Sequence, residues 1–215
     1  MIANDRMAAY LNSLEVENSE LLEAIEREAR KHNVPVIRKE MQSFLKVLVT
    51  MNKPTRILEI GTAVGFSALL MSEYAPKECQ ITTIEKHAKH IVTARNHFIK
   101  AGKERQITLV EGDALGILKG LSGTYDFIFV DAAKGQYIYY LPEMLRLLQV
   151  GGVLISDNVL QDGDIIESRY AIDKRNRTIH GRMREYLFKL KHDESLLTSI
   201  IPLGDGVTVS IKKEH

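Results

Sequence analysis

The chain has 215 residues and a formal net charge of +1, so overall charge gives no indication of binding to nucleic acid or membranes. A single cysteine, Cys79, excludes an internal disulfide, and no apolar run approaches the ~20 residues of a membrane span. The N-terminal residues lack the pattern of a signal peptide. We therefore expect a soluble cytoplasmic protein with no membrane partner, folded as one domain over residues 1–215 with a helical N-terminal extension over 1–52.

The N-terminal region is predicted to be helical. Apolar residues recur at helical spacing in two segments that Pro35 separates, and the second segment ends before Pro54. These residues are Leu21, Leu22, Ile25 and Ala29 in the first segment, and Met41, Phe44, Leu45 and Leu48 in the second.

Beyond these helices, short apolar strands alternate with helical segments. The predicted strands are 56–60, 80–85, 107–110, 127–131 and 152–156, and the predicted helices are 66–74, 88–101, 114–121, 137–148 and 169–191. A hairpin of 196–202 and 207–212, which turns at 204–206, closes the chain. Repeated strand–helix units imply an α/β fold with a parallel sheet, and such sheets bind ligands beyond the carboxyl ends of their strands.

The turn after the first strand is a candidate cofactor site. Gly61 and Gly65 let backbone approach a ligand closely, although many α/β proteins have a glycine-rich first turn. Glu85 ends the second strand, where a carboxylate can accept hydrogen bonds from both hydroxyls of a ribose, or simply begin the next helix. Glu59, a charge inside the first strand, must be hydrogen-bonded, either to the turn or to a charged ligand group.

Polar residues at two further strand ends indicate a metal site. Asp131 ends the fourth strand, and Asp157 and Asn158 end the fifth. Their oxygen atoms suit a hard cation such as Mg²⁺, although each residue alone is typical of a turn or helix cap. Lys134 lies three residues beyond Asp131, and a nearby dication would lower its pKa toward that of a general base; an exposed lysine at a helix start is the alternative.

The segment between Glu167 and Arg184 is basic. It contains six lysines and arginines against two acids, and it directly follows the predicted metal strand. Such a segment can bind phosphates, although a solvated helix face has the same pattern. The candidate RNA contacts are Arg169, Lys174, Arg175 and Arg177.

Segments 57–67, 112–114, 130–137 and 156–160, together with Glu85, resemble the cation-dependent O-methyltransferases of the catechol and caffeoyl-CoA type. The resemblance extends from about residue 34 to the C-terminus, in the same order and spacing. It implies a Rossmann-like methyltransferase fold with a mainly parallel seven-stranded sheet, an antiparallel last strand, helices on both faces and extra N-terminal helices.

The resemblance also implies cofactors and roles. S-adenosylmethionine is expected to contact Val36, Glu59, Gly61, Ser67, Glu85, Ala114 and Asp131. Glu85 is expected to hold the ribose, and Ala114 to lie beside the adenine. Mg²⁺ or a similar cation is expected on Asp131, Asp157 and Asn158, with Asp131 and Lys134 as the catalytic residues. A homodimer is expected by analogy with the family.

The methyl acceptor is suggested by likeness to bacterial members. Segments 132–137, 157–160 and 200–206 resemble those of the tRNA 5-hydroxyuridine methyltransferases, which make 5-methoxyuridine at the wobble position. tRNA is therefore the expected substrate, and a small catechol-like or caffeoyl-CoA-like metabolite is the alternative. A third possibility, a cofactor-binding regulator without activity, is disfavoured because a regulator needs no metal ligands.

Overall fold

The structure is a computed structural model that describes residues 5–214. Its strands form one mixed sheet with helices packed on both faces. The strands are β1 (Arg56–Ile60), β2 (Gln80–Glu85), β3 (Ile107–Glu111), β4 (Tyr125–Val130), β5 (Leu148–Asp157), β6 (Leu196–Ile201) and β7 (Val207–Lys212). The α-helices are α1 (Asp5–Ser13), α2 (Glu20–Lys31), α3 (Lys39–Asn52), α4 (Phe66–Tyr74), α5 (Ala88–Lys100), α6 (Ala114–Gly120), α7 (Tyr137–Leu147) and α8 (Arg177–His192). Short 3-10 helices at Lys134–Gln136 and Gln161–Ile166 precede α7 and follow β5.

The strand order places the candidate site at the centre of the sheet. In the described residues the order is β3-β2-β1-β4-β5-β7-β6. Strands β1 to β5 pair in parallel, whereas β7 is antiparallel to both β5 and β6. The predicted seven-stranded sheet with an antiparallel last strand is therefore confirmed. Because the order reverses between β1 and β4, a crevice opens there beyond the carboxyl ends of the strands.

Alternate residues of the central strands face two separate layers of packed side chains. In β1, Ile57 belongs to the layer beneath α2 to α5, whereas Leu58 and Ile60 belong to the layer beneath α6 to α8. Covered on both faces, β1 and β4 are almost wholly apolar, as expected of buried parallel strands. Glu59 is the one charged residue among the four buried positions of β1, and its charge needs partners inside the protein.

The N-terminal helices bring the start of the chain to the candidate site. Helix α2 begins at the side chain of Ser19, which accepts a hydrogen bond from the Leu22 N–H, and it buries one apolar face. Both α2 and α3 pack against α4, the helix that follows the glycine turn. The connection between α2 and α3 contains Pro35 and passes beside that turn, so Val36 lies at its edge.

Several predicted boundaries are wrong, three of them in ways that bear on the site. The helix predicted over 169–191 begins only at Arg177, because the Asn176 N–H bonds to the Asp173 carbonyl oxygen (2.8 Å) in a turn that aspartate and asparagine favour. The fifth strand begins at Leu148 rather than at residue 152, since β5 continues through a pair of glycines beside a shift in register. The fourth strand ends at Val130, so Asp131 is the first residue beyond it.

Two expectations concern the surface of the described residues: that the protein has no membrane partner and that it forms a homodimer. No helix within residues 5–214 has the length and apolar character needed to cross a membrane. Apolar side chains of α1, such as Tyr10 and Leu11, are exposed, but the homodimer stays a prediction. Residues 1–4 lie outside the described residues. The expectations that the chain begins with a helix and lacks a signal peptide fall on these residues and stay predictions.

Candidate active site

The two glycines of the turn after β1 are required by close packing. Gly61 has a φ of +103°, and a Cβ atom there would lie 2.0 Å from the carbonyl oxygen of Asp131. Gly65 has a φ of +85°, and its Cβ would lie 2.6 Å from the Phe98 ring. Only glycine therefore lets the turn touch both the end of β4 and helix α5. The turn joins the carboxyl ends of β1 and β4 into one surface.

Glu85 fastens the end of β2 to this turn. Its Oε2 accepts a hydrogen bond from the Ala63 N–H (2.9 Å), and its Oε1 accepts from Lys86 N–H (2.8 Å) and His87 N–H (2.9 Å). Ala63 has a φ of +45°, a conformation that is costly for alanine unless it is held. The carboxylate thus has the local helix-start contacts through Oε1, and it also lines the cavity described next, where Oε2 accepts only one hydrogen bond and retains acceptor capacity.

Most of the predicted cofactor contacts line two adjoining cavities. The larger, of about 220 Å³, includes Gly61, Glu85, Ala114 and Asp131 in its wall. The smaller, of about 30 Å³, lies beside the N-terminal connection. Its wall includes Val36, Gly61, Ser67 and Asp131. The structure therefore brings together residues from six separate segments at the strand ends, with Gly61 and Asp131 shared by both cavities.

Glu59 does not line either cavity but lies behind Ser67. Its two carboxylate oxygens accept hydrogen bonds from the hydroxyls of Ser67 and Thr83. Burial raises the pKa of the Glu59 carboxyl to about 7; these two hydrogen bonds oppose the rise, and the charges of Asp131 and Glu85 add to it. Thr83 was missed in the sequence, where its only signal is a hydroxyl side chain within a buried strand.

Asp131 and Asp157 meet at the ends of β4 and β5, the part of the crevice that we call the acceptor side. Strands β4 and β5 are adjacent with Val130 opposite Ser156, so the residues that follow lie side by side. Burial, together with the negative charge of Asp131, raises the pKa of Asp157 to about 7. Burial also raises the pKa of Asp131, to about 6, against the opposing effect of Lys134. Two buried carboxylates thus repel each other at this point.

Asn158 completes the candidate metal set. Its φ is +57°, and its N–H donates to Asp157 Oδ1 (2.7 Å). The Tyr137 hydroxyl donates to the Asp157 carbonyl oxygen (3.1 Å) and so holds the end of β5 from below. Within residues 5–214, no group of three or more His, Cys, Asp or Glu side chains is placed to hold a metal ion. The candidate set is instead two carboxylates and one amide, an oxygen-only donor set that fits Mg²⁺.

Two repelling buried carboxylates at the end of adjacent strands are the observation that supports a cation. A dication between them would remove their mutual repulsion and offset the cost of burying their charges. The nearest lysine does not fill this role, because Lys134 Nζ makes its ion pair with Asp205 Oδ2 (2.8 Å). The residues present therefore fit the expected metal.

The partner of Lys134 was missed in the sequence. Lys134 begins a 3-10 helix after Asp131, and Asp205 lies in the turn between β6 and β7 with a side chain that is 4% exposed. The sequence pattern predicts only a hairpin turn at 204–206. An acidic residue between two glycines at the end of an apolar strand is the signal that could have identified Asp205.

The predicted RNA contacts divide into two groups. Arg169, Lys174 and Arg175 are exposed in the irregular segment 167–176. Arg177 instead begins α8, and its guanidinium bonds to the carbonyl oxygens of Ile172 (3.0 Å) and Tyr170 (3.3 Å). The structure therefore gives Arg177 a role in holding segment 167–176, and leaves the first three directed to solvent.

Segment 167–176 adjoins the acceptor side. An open cavity of about 570 Å³ has Arg169, His180 and Arg184 in its wall. A second cavity, of about 220 Å³, shares His180 and includes Lys134 and Asn176. Because Ile172 and Asn176 also line the second cavity, the basic segment and Lys134 lie in the wall of the same cavity.

Comparison with known proteins agrees with this arrangement. A caffeoyl-CoA O-methyltransferase 2 from Populus trichocarpa is 28% identical over 97% of this chain and 89% of its own length. A catechol O-methyltransferase from Niastella koreensis is 34% identical over 58% of both chains. The crystal structure of the SAH-bound methyltransferase PaMTH1 from Podospora anserina has a TM-score of 0.88 and 29% identity, and covers 98% of this chain and 95% of that one.

The sequence model of the O-methyltransferase family matches residues 12–213, which is nearly the whole chain. The match includes the glycine turn, both candidate metal strands and the closing hairpin. The chain therefore belongs to the O-methyltransferase family.

Proposed function

We propose that this protein transfers the methyl group of S-adenosylmethionine to the 5-hydroxyl oxygen of 5-hydroxyuridine at the wobble position of tRNA. One observation carries the methyl transfer: Asp131 lies in the walls of the two cofactor cavities and also beside Asp157, so a single residue joins donor and acceptor sides. The solved structural neighbour with bound SAH supports the choice of cofactor.

The larger cavity suits the adenosine of the cofactor. Glu85 lies in its wall with remaining acceptor capacity on Oε2 for a ribose hydroxyl, and Ala114 at the start of α6 provides an apolar contact for the adenine. The smaller cavity, with Val36 and Ser67 in its wall, suits the methionine end. The buried Glu59 fixes the Ser67 hydroxyl by accepting its hydrogen bond, and so acts on the ligand through Ser67.

Replacing Glu85 with alanine is expected to weaken S-adenosylmethionine binding about 30-fold, the equivalent of ~2 kcal/mol for hydrogen bonds to a charged acceptor. Isothermal titration calorimetry would measure the change. Glu111→Ala is a matched control, because Glu111 ends β3 directly beside Glu85 and is exposed. Unchanged affinity in Glu85→Ala would remove Glu85 from the cofactor site.

The acceptor side suits proton removal from a hydroxyl. A Mg²⁺ ion held by Asp131, Asp157 and Asn158 would lower the pKa of the acceptor hydroxyl and orient it. Lys134 Nζ, in its neutral amine form, is the proposed proton acceptor, because Lys134 follows this set closely and lines the adjoining cavity. Lys134 loses its ammonium proton to solvent before the acceptor hydroxyl is deprotonated, a loss that a nearby dication favours. Methyl transfer then requires in-line alignment of the acceptor oxygen with the methyl carbon, and the bond from carbon to sulfur breaks as the new bond to oxygen forms.

Support for tRNA comes from the exposed charges of segment 167–176. Arg169, Lys174 and Arg175 project to solvent beside the cavities that connect to Lys134, where they can bind phosphates near a nucleotide at the site. A small catechol-like or caffeoyl-CoA-like acceptor is the second candidate. It is favoured by the names of the curated relatives, and the phosphates of CoA could use the same charges.

The deciding experiment is nucleoside analysis of tRNA from a strain that lacks this protein. We expect 5-hydroxyuridine to accumulate and 5-methoxyuridine to disappear. Complementation with the wild-type gene should restore 5-methoxyuridine, whereas a variant in which Arg169, Lys174 and Arg175 are all glutamine should restore much less. Purified, that variant should still methylate a simple catechol at the wild-type rate, if the wild type does so, because the change affects RNA binding alone.

A matched control variant loses three positive charges on another part of the surface. Lys100, Arg105 and Lys119 are exposed, and Lys100 and Arg105 lie before β3 at the amino ends of the strands, away from the site. The triple glutamine variant of these residues should complement fully. Unchanged tRNA nucleosides in the deletion strain would favour the small-molecule acceptor, and equal loss on tRNA and catechol in the first variant would contradict the role of segment 167–176.

A further inference from the structure

The buried carboxylate of Asp205 connects two segments at the acceptor side. Its Oδ2 accepts a hydrogen bond from Lys134 Nζ (2.8 Å), and its Oδ1 accepts one from the backbone N–H of Asp162. Asp205 is only 3% exposed, whereas the Lys134 side chain is 33% exposed. A buried carboxylate needs such partners, so its contacts fix both groups relative to the β6–β7 turn.

The backbone of this turn holds the residues that follow β5. The Asp205 carbonyl oxygen accepts from Leu160 N–H (2.9 Å), and the Gly206 carbonyl oxygen accepts from Val159 N–H (3.0 Å). Gly206 has a φ of +84°, and a Cβ atom there would lie 2.2 Å from the Leu160 side chain. The turn and the segment 158–162 are therefore in close contact along their length.

Segment 158–162 needs to be held. Asn158, Gln161 and Asp162 have φ values of +57°, +52° and +52°, all in the left-handed region that residues other than glycine rarely adopt. Such conformations persist where the surroundings fix them, and they concentrate at functional sites. The ion pair of Asp162 with Arg38 (3.1 Å) is exposed and so contributes little. The contacts of Asp205 remain as the buried anchor.

We propose that Asp205 is a positioning residue for methyl transfer, because one carboxylate fixes both Lys134 and the left-handed segment that carries Asn158. Asp205 is absent from the walls of the two cofactor cavities and of the cavity that Lys134 lines, so it acts through these two partners rather than by touching donor or acceptor. The inference rests on the roles that the proposed function gives to Lys134 and Asn158.

The test compares Asp205→Asn with Asp205→Ala. The asparagine is nearly isosteric and keeps an oxygen acceptor for the Asp162 N–H, but it removes the charge beside Lys134. We expect its kcat to fall about 10-fold, and that of Asp205→Ala, which loses both contacts, about 100-fold, the range found for residues that orient a catalytic group. Rates would be measured on 5-hydroxyuridine tRNA and on catechol, and S-adenosylmethionine affinity by calorimetry should stay at the wild-type value in both variants.

Hydrogen–deuterium exchange separates the two roles. Asp205→Ala should speed amide exchange in segment 158–162, whereas Asp205→Asn should leave it unchanged. Asp193→Asn is the matched control, because Asp193 accepts from the Ser195 N–H (2.9 Å) at the opposite end of β6 and should retain full activity. Wild-type kcat in Asp205→Asn, or an equal loss of kcat and cofactor affinity, would overturn the inference.

A Lys134→Met variant distinguishes this failure from a failure of the proposed chemistry. If Lys134→Met retains the wild-type kcat, the proposed role of Lys134 is wrong and the inference falls with it. If Lys134→Met is inactive while Asp205→Asn is fully active, the proposed chemistry stands and only the role of Asp205 is contradicted.

Discussion

Replacing Asp157 with alanine is expected to slow methyl transfer by more than about 100-fold, because residues that merely orient a metal ligand already contribute 10- to 100-fold. S-adenosylmethionine affinity should change little, since Asp157 lies outside the cofactor cavities. The folded protein should tolerate the change, because it removes a buried carboxylate that is repelled by Asp131. Steady-state rates on tRNA and catechol, together with calorimetry of cofactor binding, check the prediction.

The control for Asp157→Ala lies at the opposite end of the neighbouring strand. Asp126 accepts hydrogen bonds from Thr55 N–H (2.7 Å) and Arg56 N–H (3.0 Å) at the amino end of β1, so Asp126→Ala should affect stability rather than turnover of the folded enzyme. Exhaustive chelation of the wild type should abolish activity, and added Mg²⁺ should restore it. Full activity after chelation would contradict the metal assignment, and equal loss of turnover and cofactor affinity in Asp157→Ala would indicate a structural role.

Replacing Glu59 with glutamine is expected to stabilise the ligand-free protein increasingly as the pH rises. The carboxyl ionises near pH 7 in the folded protein, because burial raises its pKa from 4.5. Between these values the unfolded chain releases the proton while the folded protein retains it, so wild-type stability falls as pH rises. Glutamine carries no such proton, and the difference in the free energy of unfolding should grow by about 3 kcal/mol between pH 4.5 and pH 7.

Urea unfolding of both proteins at pH 5, 6, 7 and 8 would measure this dependence. Glu104→Gln is the control, because it removes one exposed carboxylate and so changes the net charge equally. The same pH dependence in Glu104→Gln would attribute the effect to net charge. A constant difference between Glu59→Gln and the wild type would show that the buried carboxyl ionises normally.

The strands and the strand-end residues were predictable because they depend on short-range patterns. β1, α4 and β2 begin and end at the predicted residues, since runs of apolar residues are bounded there by glycine or charge. Asp131 and Asp157 were expected together because parallel strands end at the same edge of a sheet. Their proximity follows from topology, which alternating strands and helices already indicate.

The remaining features depend on contacts between distant segments. Nothing near Lys134 in the sequence indicates that residue 205 is its partner, because the antiparallel insertion of β7 beside β5 creates that contact. The basic segment was predicted as part of a long helix from its charges and apolar spacing, but local turns at Asp173 and Asn176 interrupt it. Arg177 then turns inward, which no pattern of charge could reveal.

The absence of room for a side chain at Gly61 has a consequence for how substrates enter. The backbone of the glycine turn rests directly on the carbonyl of Asp131, so the donor and acceptor halves share one closely packed floor, formed by the ends of β1 and β4. We therefore expect entry and exit to use the walls formed by the N-terminal connection and by segments 158–176. Acceptor preference can then diversify through changes in those walls, while the distance from methyl donor to acceptor oxygen is preserved by the floor.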